Sequence, residues 1–313
     1  MGKAILITGA AGFIGSNLAR MLLDAGHPVT GIDDLSSGQA ENVDPRVRFF
    51  KADVRDPGIR PLFDGQDAVF HLAAKNCLSD CQQHPVATAD VNVRGTVNVL
   101  ECARAARVRK VIFADTSAQY EGVTKFPSRV EVTDPRSAYA VSKAAGAMFV
   151  RAMAQSGELK VTLLRYFNVY GPAQDWRRPV PPVMSAFIMK LLKGERPVIY
   201  GTGEKRRDFV YVDDVNRFHL LALNDPRSDG RVFNVGSGVN HSVNEIYRMI
   251  ARLLGSGLAP IHEKEFSFEA DVTLADISES RALGWSPRVS LEEGLARSVA
   301  YIQEHVLAAP VRS

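Results

Sequence analysis

Residues 5–34 read ILITGAAGFIGSNLARMLLDAGHPVTGIDD, and this stretch decides the fold. A short apolar run leads to three closely spaced glycines, an amphipathic segment follows, and a second apolar run ends in two acids. A short apolar run next to turn residues is typical of a buried strand, whereas apolar residues at helical spacing indicate a helix. The stretch therefore predicts a strand, a tight turn, a helix and a second strand.

The glycines Gly9, Gly12 and Gly15 stand where the first strand turns into the helix. In such a turn the first glycine permits the tight bend, the second lets a pyrophosphate approach the backbone, and the third lets helix and strand pack closely. Phe13 and Ile14 open the helix, whose free N–H groups and positive dipole end suit a phosphate. The pattern predicts a dinucleotide site, against the alternative of incidental glycines in an ordinary turn.

Asp33 ends the second strand, eighteen residues beyond Gly15. A carboxylate at this position accepts hydrogen bonds from the hydroxyl groups of the adenine ribose. The same negative charge would repel a 2′-phosphate, so the cofactor that Asp33 predicts is NAD rather than NADP.

The rest of the chain continues this alternation of apolar strands and helices. Near-continuous apolar strands separated by helices indicate a parallel sheet covered on both faces. We expect an α/β protein with a Rossmann-type doubly wound parallel sheet. Its NAD-binding domain would span 1–171, and a smaller mixed α/β substrate-binding region would span 172–313 and return some strands and helices to the first domain. The predicted strands are 3–8, 28–33, 47–53, 67–73, 109–115 and 160–169, and the predicted helices are 13–25, 85–107, 137–156 and 183–193.

Composition argues against several classes of protein. The 313 residues carry a net charge of +3 with acids and bases interspersed, which does not predict a nucleic-acid partner. An odd set of three cysteines does not suggest a disulfide framework and fits a reducing cytoplasm. The sequence enters a strand without a charged leader, and no apolar run approaches membrane-spanning length. We therefore expect a cytoplasmic protein without membrane contact.

Two of the cysteines, Cys77 and Cys81, lie near His84 in a short cluster. No second pair of ligands follows at zinc-finger spacing, so we predict no metal site and interpret the cysteines as buried or pocket thiols. No general base adjoins Cys77 in the sequence, so a nucleophilic thiol is not predicted either.

Residues 137–143 read SAYAVSK and place Tyr139 and Lys143 four residues apart on one face of a predicted helix. A phenol with a pKa of about 10 is a poor base at neutral pH, but a nearby ammonium favours its phenolate. Such a tyrosine can take a proton from a hydroxyl group while the neighbouring carbon gives hydride to NAD. After a complete dinucleotide fingerprint, this chemistry is a better interpretation than a solvated helix face.

At this point the sequence resembles the extended short-chain dehydrogenase/reductase family, and within it the NAD-dependent nucleotide-sugar epimerases and dehydratases. The resemblance covers nearly the whole chain and is much less specific for the substrate than for the family. The segments that carry it are TGAAGFIG (8–15), ADVRD (52–56), HLAA (71–74), NVRGTVNVLE (92–101), YAVSK (139–143), RYFNVYGP (165–172), IYGTGEKRRDFVYVDDV (199–215), FNVGSG (233–238) and LGWSP (283–287).

The resemblance implies further cofactor contacts. Asp53 and Val54 would flank the adenine, and Ala73 and Ala74 would line the cofactor near its nicotinamide half. Lys143 could also hold the nicotinamide ribose.

It likewise implies a substrate site. Thr116 matches the residue that bonds the reacting hydroxyl of the sugar, and Asn168 and Arg207 match groups that hold the diphosphate. A guanidinium fork suits a phosphate, which supports Arg207 on physical grounds. The alternatives are a strand-end turn asparagine for Asn168 and an ion pair with Asp208 or Asp213 for Arg207. We also place Asn76 and Ser117 beside the sugar, and Thr273 at a position that limits bulk at its C2 substituent.

The same comparison favours one reaction. Family dehydratases usually carry an Asp-Glu pair directly after the residue that Thr116 matches, but Ser117 and Ala118 stand there in this chain. We therefore expect a 4-epimerase that acts on a UDP-hexose or UDP-N-acetylhexosamine through a transient 4-keto sugar. The alternatives are a nucleotide-sugar dehydratase, another epimerase or reductase of the family, and a non-catalytic NAD-sensing regulatory protein.

Two further departures bear on this expectation. Glu121 replaces a usual glycine, as either a solvent-facing loop acid or a displaced catalytic carboxylate that would favour a dehydratase. Phe266 aligns with an arginine that contacts the diphosphate in relatives, and Lys264 is a candidate substitute. The resemblance also implies a homodimer joined through helices 85–107 and 137–156 of each subunit, which fold analogy alone supports.

Overall fold

The computed structural model describes residues 2–177, 181–265 and 270–307. Phe266, on which one expectation rests, lies outside these residues. Within them the chain forms strands β1 (Ile5–Thr8), β2 (Val29–Asp33), β3 (Arg48–Lys51), β4 (Ala68–His71), β5 (Lys110–Thr116), β6 (Lys160–Tyr166), β7 (Asn168–Tyr170), β8 (Val198–Tyr200), β9 (Arg206–Tyr211), β10 (Arg231–Val235), β11 (Asn240–Ser242) and β12 (Ile261–Glu263).

A seven-stranded sheet in the order β10-β6-β5-β4-β1-β2-β3 forms the centre of the fold. Every pair of neighbouring strands in it is parallel. The strand order reverses between β1 and β4, and ligands of such sheets bind in the crevice at the carboxyl ends of the strands at this point. The predicted Rossmann-type parallel sheet is therefore confirmed.

The helices follow the predicted positions closely, with one internal change. The predicted helix over 85–107 contains a π-helical stretch, Asp90–Gly95, between two α-helical parts. The α-helices are α1 (Phe13–Asp24), α2 (Leu78–Gln83), α3 (Pro85–Ala89), α4 (Thr96–Ala105), α5 (Ala138–Gln155), α6 (Val183–Leu192), α7 (Val212–Asn224), α8 (Val243–Leu253), α9 (Ser278–Ala282) and α10 (Leu291–Ile302).

Alternating side chains of the strands build a core on each face of the sheet. In β1, Ile5 and Ile7 join the core that contains Leu18 of α1, whereas Leu6 joins the opposite core with Val99 of α4. Successive side chains of a strand point to opposite faces, so an uninterrupted apolar strand can fill both cores. Helices α1 and α7 pack together on one side, and α4 and α5 on the other.

The second half of the chain builds smaller sheets and also extends the main one. Strands β11, β9 and β7 form a three-stranded sheet, and β12 pairs with β8. Strand β10 joins the edge of the main sheet beside β6. A third core around Phe187, Ile246 and Leu295 joins α6, α8 and α10. The strand β7, which carries Asn168, pairs with β9.

Two structural features are absent from the described residues. No helix among them has the length and apolar character needed to cross a membrane. The same residues contain no group of three or more His, Cys, Asp or Glu side chains placed to bind a metal ion.

Candidate functional site at the carboxyl edge of the sheet

The glycine-rich turn lies between β1 and α1 and approaches the next strand closely. Gly9 has a φ of +74°, and a Cβ there would lie 2.8 Å from the backbone nitrogen of Ala73. A Cβ at Gly15 would lie only 2.1 Å from the carbonyl oxygen of Gly9, whereas one at Gly12 would keep 3.2 Å from that oxygen. Gly9 and Gly15 are thus required by the fold, and the turn forms the backbone cradle that a pyrophosphate needs.

The carboxylate of Asp33 is buried beside this turn. It accepts hydrogen bonds from the backbone N–H groups of Ala11 at 3.0 Å and Leu35 at 2.8 Å. Burial raises the pKa of Asp33 above its ordinary value, and the two backbone bonds oppose this rise. A carboxylate has about four acceptor positions, so two bonds leave capacity for hydroxyl groups. These residues fit a dinucleotide whose ribose hydroxyls reach Asp33.

The two residues expected beside the adenine follow β3. Asp53 forms a salt bridge with Arg55, which also bridges to Asp90 at 2.8 Å. Hydrogen bonds from Arg55 lower the pKa of Asp53. Val54 is buried, and a Cβ on Gly95 would lie 2.9 Å from its side chain. The structure thus fixes both residues in place, and their contact with adenine remains a prediction.

Ala73 and Ala74 follow β4 and depend on a buried hydrogen-bond chain that sequence reasoning missed. The N–H of Ala73 donates to Thr8 Oγ1 at 3.3 Å, which lies 2.7 Å from Nδ1 of His71. The other ring nitrogen of His71 lies 2.9 Å from Thr96 Oγ1. Thr96 donates its proton to the carbonyl of Asn92 at 2.7 Å. The only signals in the sequence were the HLAA and NVRGT segments themselves.

These contacts determine the protonation of His71. Because Thr96 gives its proton to a carbonyl, it must accept from Nε2–H of His71, and Nδ1 must then accept from Thr8. This arrangement needs a neutral ring. Burial, with a smaller contribution from Lys143, lowers the pKa of His71 to about 3.

A second buried histidine, His219, has a similarly lowered pKa, and the two shifts predict how the stability of the fold depends on pH. Burial lowers its pKa to about 3 as well. Below pH 6.5, the ordinary pKa of histidine, His71 and His219 bind a proton in the unfolded chain but stay neutral in the folded chain. The free energy of unfolding should therefore fall as the pH falls from 6.5 towards 3, by about 1.4 kcal/mol per pH unit for each histidine.

Urea unfolding between pH 6.5 and 4.5 measures this slope. His71→Gln and His219→Gln form a matched pair, because each variant should lose the contribution of one histidine to the slope of unfolding free energy against pH. This change in slope is separate from any loss of stability that a variant shows at every pH. A slope unchanged in both variants would contradict the prediction.

Asn92 also ties the segment after Ala74 to helix α5. Its side chain exchanges two hydrogen bonds with the backbone of Lys75, at 2.8 and 3.0 Å. It also donates to Ser142 Oγ at 2.9 Å. Ser142 is adjacent to Lys143, so this amide sets the distance between the loop after β4 and the helix that carries Tyr139 and Lys143.

Thr116, Tyr139 and Lys143 meet at the end of β5. The side chain of Thr116 lies beside the Tyr139 phenol and opposes the rise in its pKa that burial causes. Thr116 accepts a bond from the N–H of Ala118 at 3.2 Å, so its own hydroxyl proton is available to a neighbouring oxygen. The buried ammonium of Lys143 lies 4.1 Å from the centre of the Phe113 ring. The structure thus brings the three predicted catalytic residues to one place.

Burial dominates the acid–base properties of this group. It raises the pKa of Tyr139 to about 12, and the bond with Thr116 opposes this rise. It also lowers the pKa of Lys143 to about 8, against the opposing effect of Asp115. That the ammonium of Lys143 favours the phenolate of Tyr139 stays a prediction.

Glu121 has a place that neither sequence interpretation anticipated. Its Oε2 accepts hydrogen bonds from the N–H groups of Arg136 at 3.0 Å and Ser137 at 2.6 Å. Its Oε1 accepts from the hydroxyl of Ser137 at 2.7 Å. The half-buried carboxylate thus binds the start of α5 through three hydrogen bonds.

Asn168 and Arg207, expected at the diphosphate, lie on β7 and β9, and Thr273, expected at the C2 substituent of the sugar, lies close to them. Asn168 donates from Nδ2 to the carbonyl of Asp208 at 3.1 Å and to Thr273 Oγ1 at 3.3 Å. The guanidinium of Arg207 donates to the carbonyl of Asp271 at 3.3 Å. Asn168, Arg207 and Thr273 are therefore neighbours in one cluster.

The two acids considered as ion-pair partners of Arg207 bind other groups. The carboxylate of Asp208 accepts bonds from the backbone of Ser237, Gly238 and Ala275, at 2.6 to 3.0 Å. Asp213 lies 3.4 Å from Arg297. Through these bonds Asp208 holds the loop after β10 in its conformation.

The remaining candidates lie at the rim of the crevice. Ser117 opens the short 3₁₀ turn Ser117–Tyr120 that follows Thr116, and Asn76 is exposed after β4. The Sγ of Cys77 lies 3.4 Å from the hydroxyl of Ser79, and Cys81 is buried with a pKa raised by burial. A raised pKa disfavours the thiolate, so the geometry supports the packing interpretation of Cys81.

The sequence and the fold of the chain are similar to those of known proteins. Residues 5–236 match the NAD dependent epimerase/dehydratase family. The chain is 37% identical over 311 residues to a UDP-glucose 4-epimerase of Mycolicibacterium smegmatis, covering 95% of this chain and 98% of that one.

Two solved structures share the whole fold. One is a UDP-glucose 4-epimerase from Thermotoga maritima with UDP-glucose, at a TM-score of 0.93 and 35% identity, covering 96% of this chain and 99% of that one. The other is a UDP-glucose 4-epimerase from Thermus thermophilus in complex with NAD, at a TM-score of 0.88 and 34% identity, covering 97% and 100%.

Proposed function

The chain belongs to the NAD-dependent epimerase/dehydratase family and uses NAD, and from this premise we propose that it is a nucleotide-sugar 4-epimerase acting on a UDP-hexose or UDP-N-acetylhexosamine. The observation that carries the proposal is the position of Thr116 beside the Tyr139 phenol, with Lys143 one helical turn further along α5. A phenol, a hydroxyl that holds its substrate and an ammonium on the same helix are the groups that reversible oxidation of a sugar alcohol requires.

The cofactor site follows from the cradle described above. The glycine turn would hold the pyrophosphate, Asp33 the adenine ribose, Asp53 and Val54 the adenine, and Ala73 with Ala74 the nicotinamide half. Bound NAD supplies a hydride acceptor and donor together with the positive charge of its oxidised ring. A Cβ at Gly9 or Gly15 would meet backbone atoms, so the chain itself dictates the shape of this cradle.

In the proposed mechanism Thr116 orients the 4-hydroxyl of the sugar and Tyr139 removes its proton. A proton donated by Thr116 to the phenol oxygen would stabilise the phenolate that forms. With its C4 hydride taken up by the acceptor that NAD would supply, the sugar becomes a 4-keto sugar that is flat at C4, so its other face can receive the hydride after it turns over in the site. Tyr139 then returns the proton to the sugar oxygen, and the reaction has no net redox change.

The surroundings of Thr116 favour epimerisation over loss of water. A dehydratase needs an additional acid and base beside the sugar, and Ser117 and Ala118 carry no ionisable side chains. The nearby carboxylate of Glu121 is engaged by the backbone and hydroxyl of Ser137. The cluster of Asn168, Arg207 and Thr273 supports a diphosphate at the other end of the site, and named relatives act on UDP-sugars.

Proton NMR of the protein with NAD tests the reaction directly. UDP-glucose, UDP-N-acetylglucosamine, UDP-glucuronate and dTDP-glucose are incubated separately, and the anomeric and ring signals are followed over time. The expected result is a mixture of two C4 epimers for a UDP-sugar, reached from either epimer. A 4-keto product formed with loss of water would instead identify a dehydratase, and unchanged sugars with bound NAD would rule out the proposed activity for these substrates.

We also propose a homodimer formed through α5 and the segment from α3 to α4. Met148 is 71% exposed, and Val141 and Phe149 are exposed on the same helix. Val86 of α3, which packs against α5, is 83% exposed. Contiguous apolar side chains at a surface are typical of protein–protein contacts.

Met148→Glu should convert the dimer into a monomer, because two charges would be buried at the symmetric contact without partners. Analytical ultracentrifugation gives the mass of each species. Leu253→Glu, which changes an exposed apolar residue on α8, is the matched control and should leave the mass unchanged. A wild-type chain that sediments as a monomer at micromolar concentration would refute the assembly.

A further inference from the structure

We propose that Glu121 is a positioning residue that fixes helix α5, and with it Tyr139, against Thr116. The inference rests on the proposed function, since it assigns Tyr139 the proton transfer. It concerns a carboxylate at a position where the resemblance implies a glycine, so the interaction is a feature of this chain.

The geometry consists of one short turn with a contact to α5 at each end. Thr116 is the N-cap of the 3₁₀ turn Ser117–Tyr120, and Glu121 is its C-cap. Thr116 lies beside the Tyr139 phenol, and Glu121 binds Ser137, the N-cap residue of α5. The turn therefore contacts α5 at its N-cap residue and at the reacting side chain two residues later.

The contact at Ser137 continues into the helix. The hydroxyl of Ser137 donates to Glu121 and accepts from the N–H of Ala140 at 3.1 Å. The N–H groups of Arg136 and Ser137 also donate to Glu121. A carboxylate at a helix N-terminus satisfies otherwise unpaired N–H groups and interacts favourably with the helix dipole. Three hydrogen bonds accepted by one carboxylate thus define where α5 begins.

The negative charge of Glu121 also acts on the phenol. The groups that face Tyr139 include Glu121 itself, Asp115 on β5, Cys81 on α2 and Tyr166 on β6. Lys143 follows one turn along α5. Asp115, Cys81 and Glu121 each raise the pKa of Tyr139. Removing the charge of Glu121 should therefore shift the titration of Tyr139 to lower pH, an effect that a merely structural residue would not have.

Glu121→Gln tests both parts of the proposal, and Ser137→Ala removes the hydroxyl bond to Oε1 while keeping the charge of Glu121 and its two backbone bonds. We expect both variants to lower kcat about ten- to a hundredfold with little change in KM, because the phenol is displaced from Thr116. This displacement raises the pKa of Tyr139 in both variants, whereas loss of the charge lowers it in Glu121→Gln alone, so the pH profile of kcat should lie at lower pH in Glu121→Gln than in Ser137→Ala. Glu131→Gln, an exposed acid in the same loop, is the control and should match the wild type.

A second measurement needs no sugar. In the NAD-bound protein labelled with ¹³Cζ-tyrosine, the Tyr139 signal is assigned by its loss in Tyr139→Phe and titrated in Ser137→Ala and Glu121→Gln. A lower Tyr139 pKa in Glu121→Gln than in Ser137→Ala supports the proposal even if no tested sugar reacts. Equal Tyr139 titrations in the two variants, or epimerisation with wild-type kcat and KM in both, overturn it and leave the epimerase proposal intact. If Glu121→Gln does not fold, the kcat and KM of Ser137→Ala decide the positioning.

Discussion

Replacing Tyr139 with Phe lowers the turnover number at least about a thousandfold and leaves NAD bound. The substitution removes one oxygen atom, which lies beside Thr116, and keeps the ring at the start of α5. A phenyl ring can neither accept the proton of the sugar hydroxyl nor return it. The cradle around Gly9 and Gly15 lies on other elements, so the affinity for NAD should stay within a fewfold of wild type.

Epimerisation followed by NMR gives the turnover number, and the stoichiometry of bound NAD follows from its absorbance after release from the protein. Tyr200→Phe, on strand β8, is the control that removes a hydroxyl from an exposed tyrosine. Turnover within tenfold of wild type in Tyr139→Phe would assign the proton transfer to another group. A parallel loss of NAD would mean that the phenol acts through binding rather than through chemistry.

Alanine substitutions at Gly12 and at Gly15 should distinguish the two roles of the glycine turn, which are the packing of helix α1 and contact with the pyrophosphate. A Cβ at Gly15 would lie 2.1 Å from the carbonyl oxygen of Gly9 and 3.1 Å from Cα of Ala10, so helix α1 must move. We expect Gly15→Ala to cost about 3 kcal/mol of stability and to abolish NAD binding, because overpacking displaces the cradle itself. A Cβ at Gly12 keeps 3.2 Å from the nearest backbone oxygen.

Gly12→Ala should therefore fold with nearly wild-type stability and yet bind NAD at least about a hundredfold more weakly, because its methyl group takes the space that the pyrophosphate needs. Thermal unfolding of the NAD-free protein and titration calorimetry with NAD measure the two quantities separately. If both substitutions changed stability and affinity to the same extent, the proposed division between packing and phosphate contact would be wrong.

Much of the fold could be predicted because local patterns and the final structure agree. The predicted strand over 28–33 is Val29–Asp33, and the predicted helix over 137–156 is Ala138–Gln155. Apolar strands between glycine and proline punctuation leave few alternatives to a parallel sheet. The π-helical stretch Asp90–Gly95 could not be predicted, since it depends on packing against α5 and on the Asn92 side chain binding the loop after β4.

The candidate site was predictable to a different degree. Tyr139 and Lys143 are four residues apart, and their pairing on a helix follows from spacing alone. Thr8, His71 and Thr96 form a bonded chain across separate elements, and no local pattern links them. The pKa of Tyr139 could not be read from its neighbours in sequence either, because burial by surrounding elements raises it.

The sequence by itself determined the parallel sheet, the glycine turn, the acid at the end of β2 and the candidate catalytic pair of Tyr139 and Lys143, because each depends on residues close together in the chain. Only the tertiary structure decided what Glu121 does, which proton His71 keeps and how Asn168, Arg207 and Thr273 come together. The physical reason is that hydrogen bonds between distant residues, and the burial that shifts their pKa values, exist only after the strands have brought those residues to one edge of the sheet.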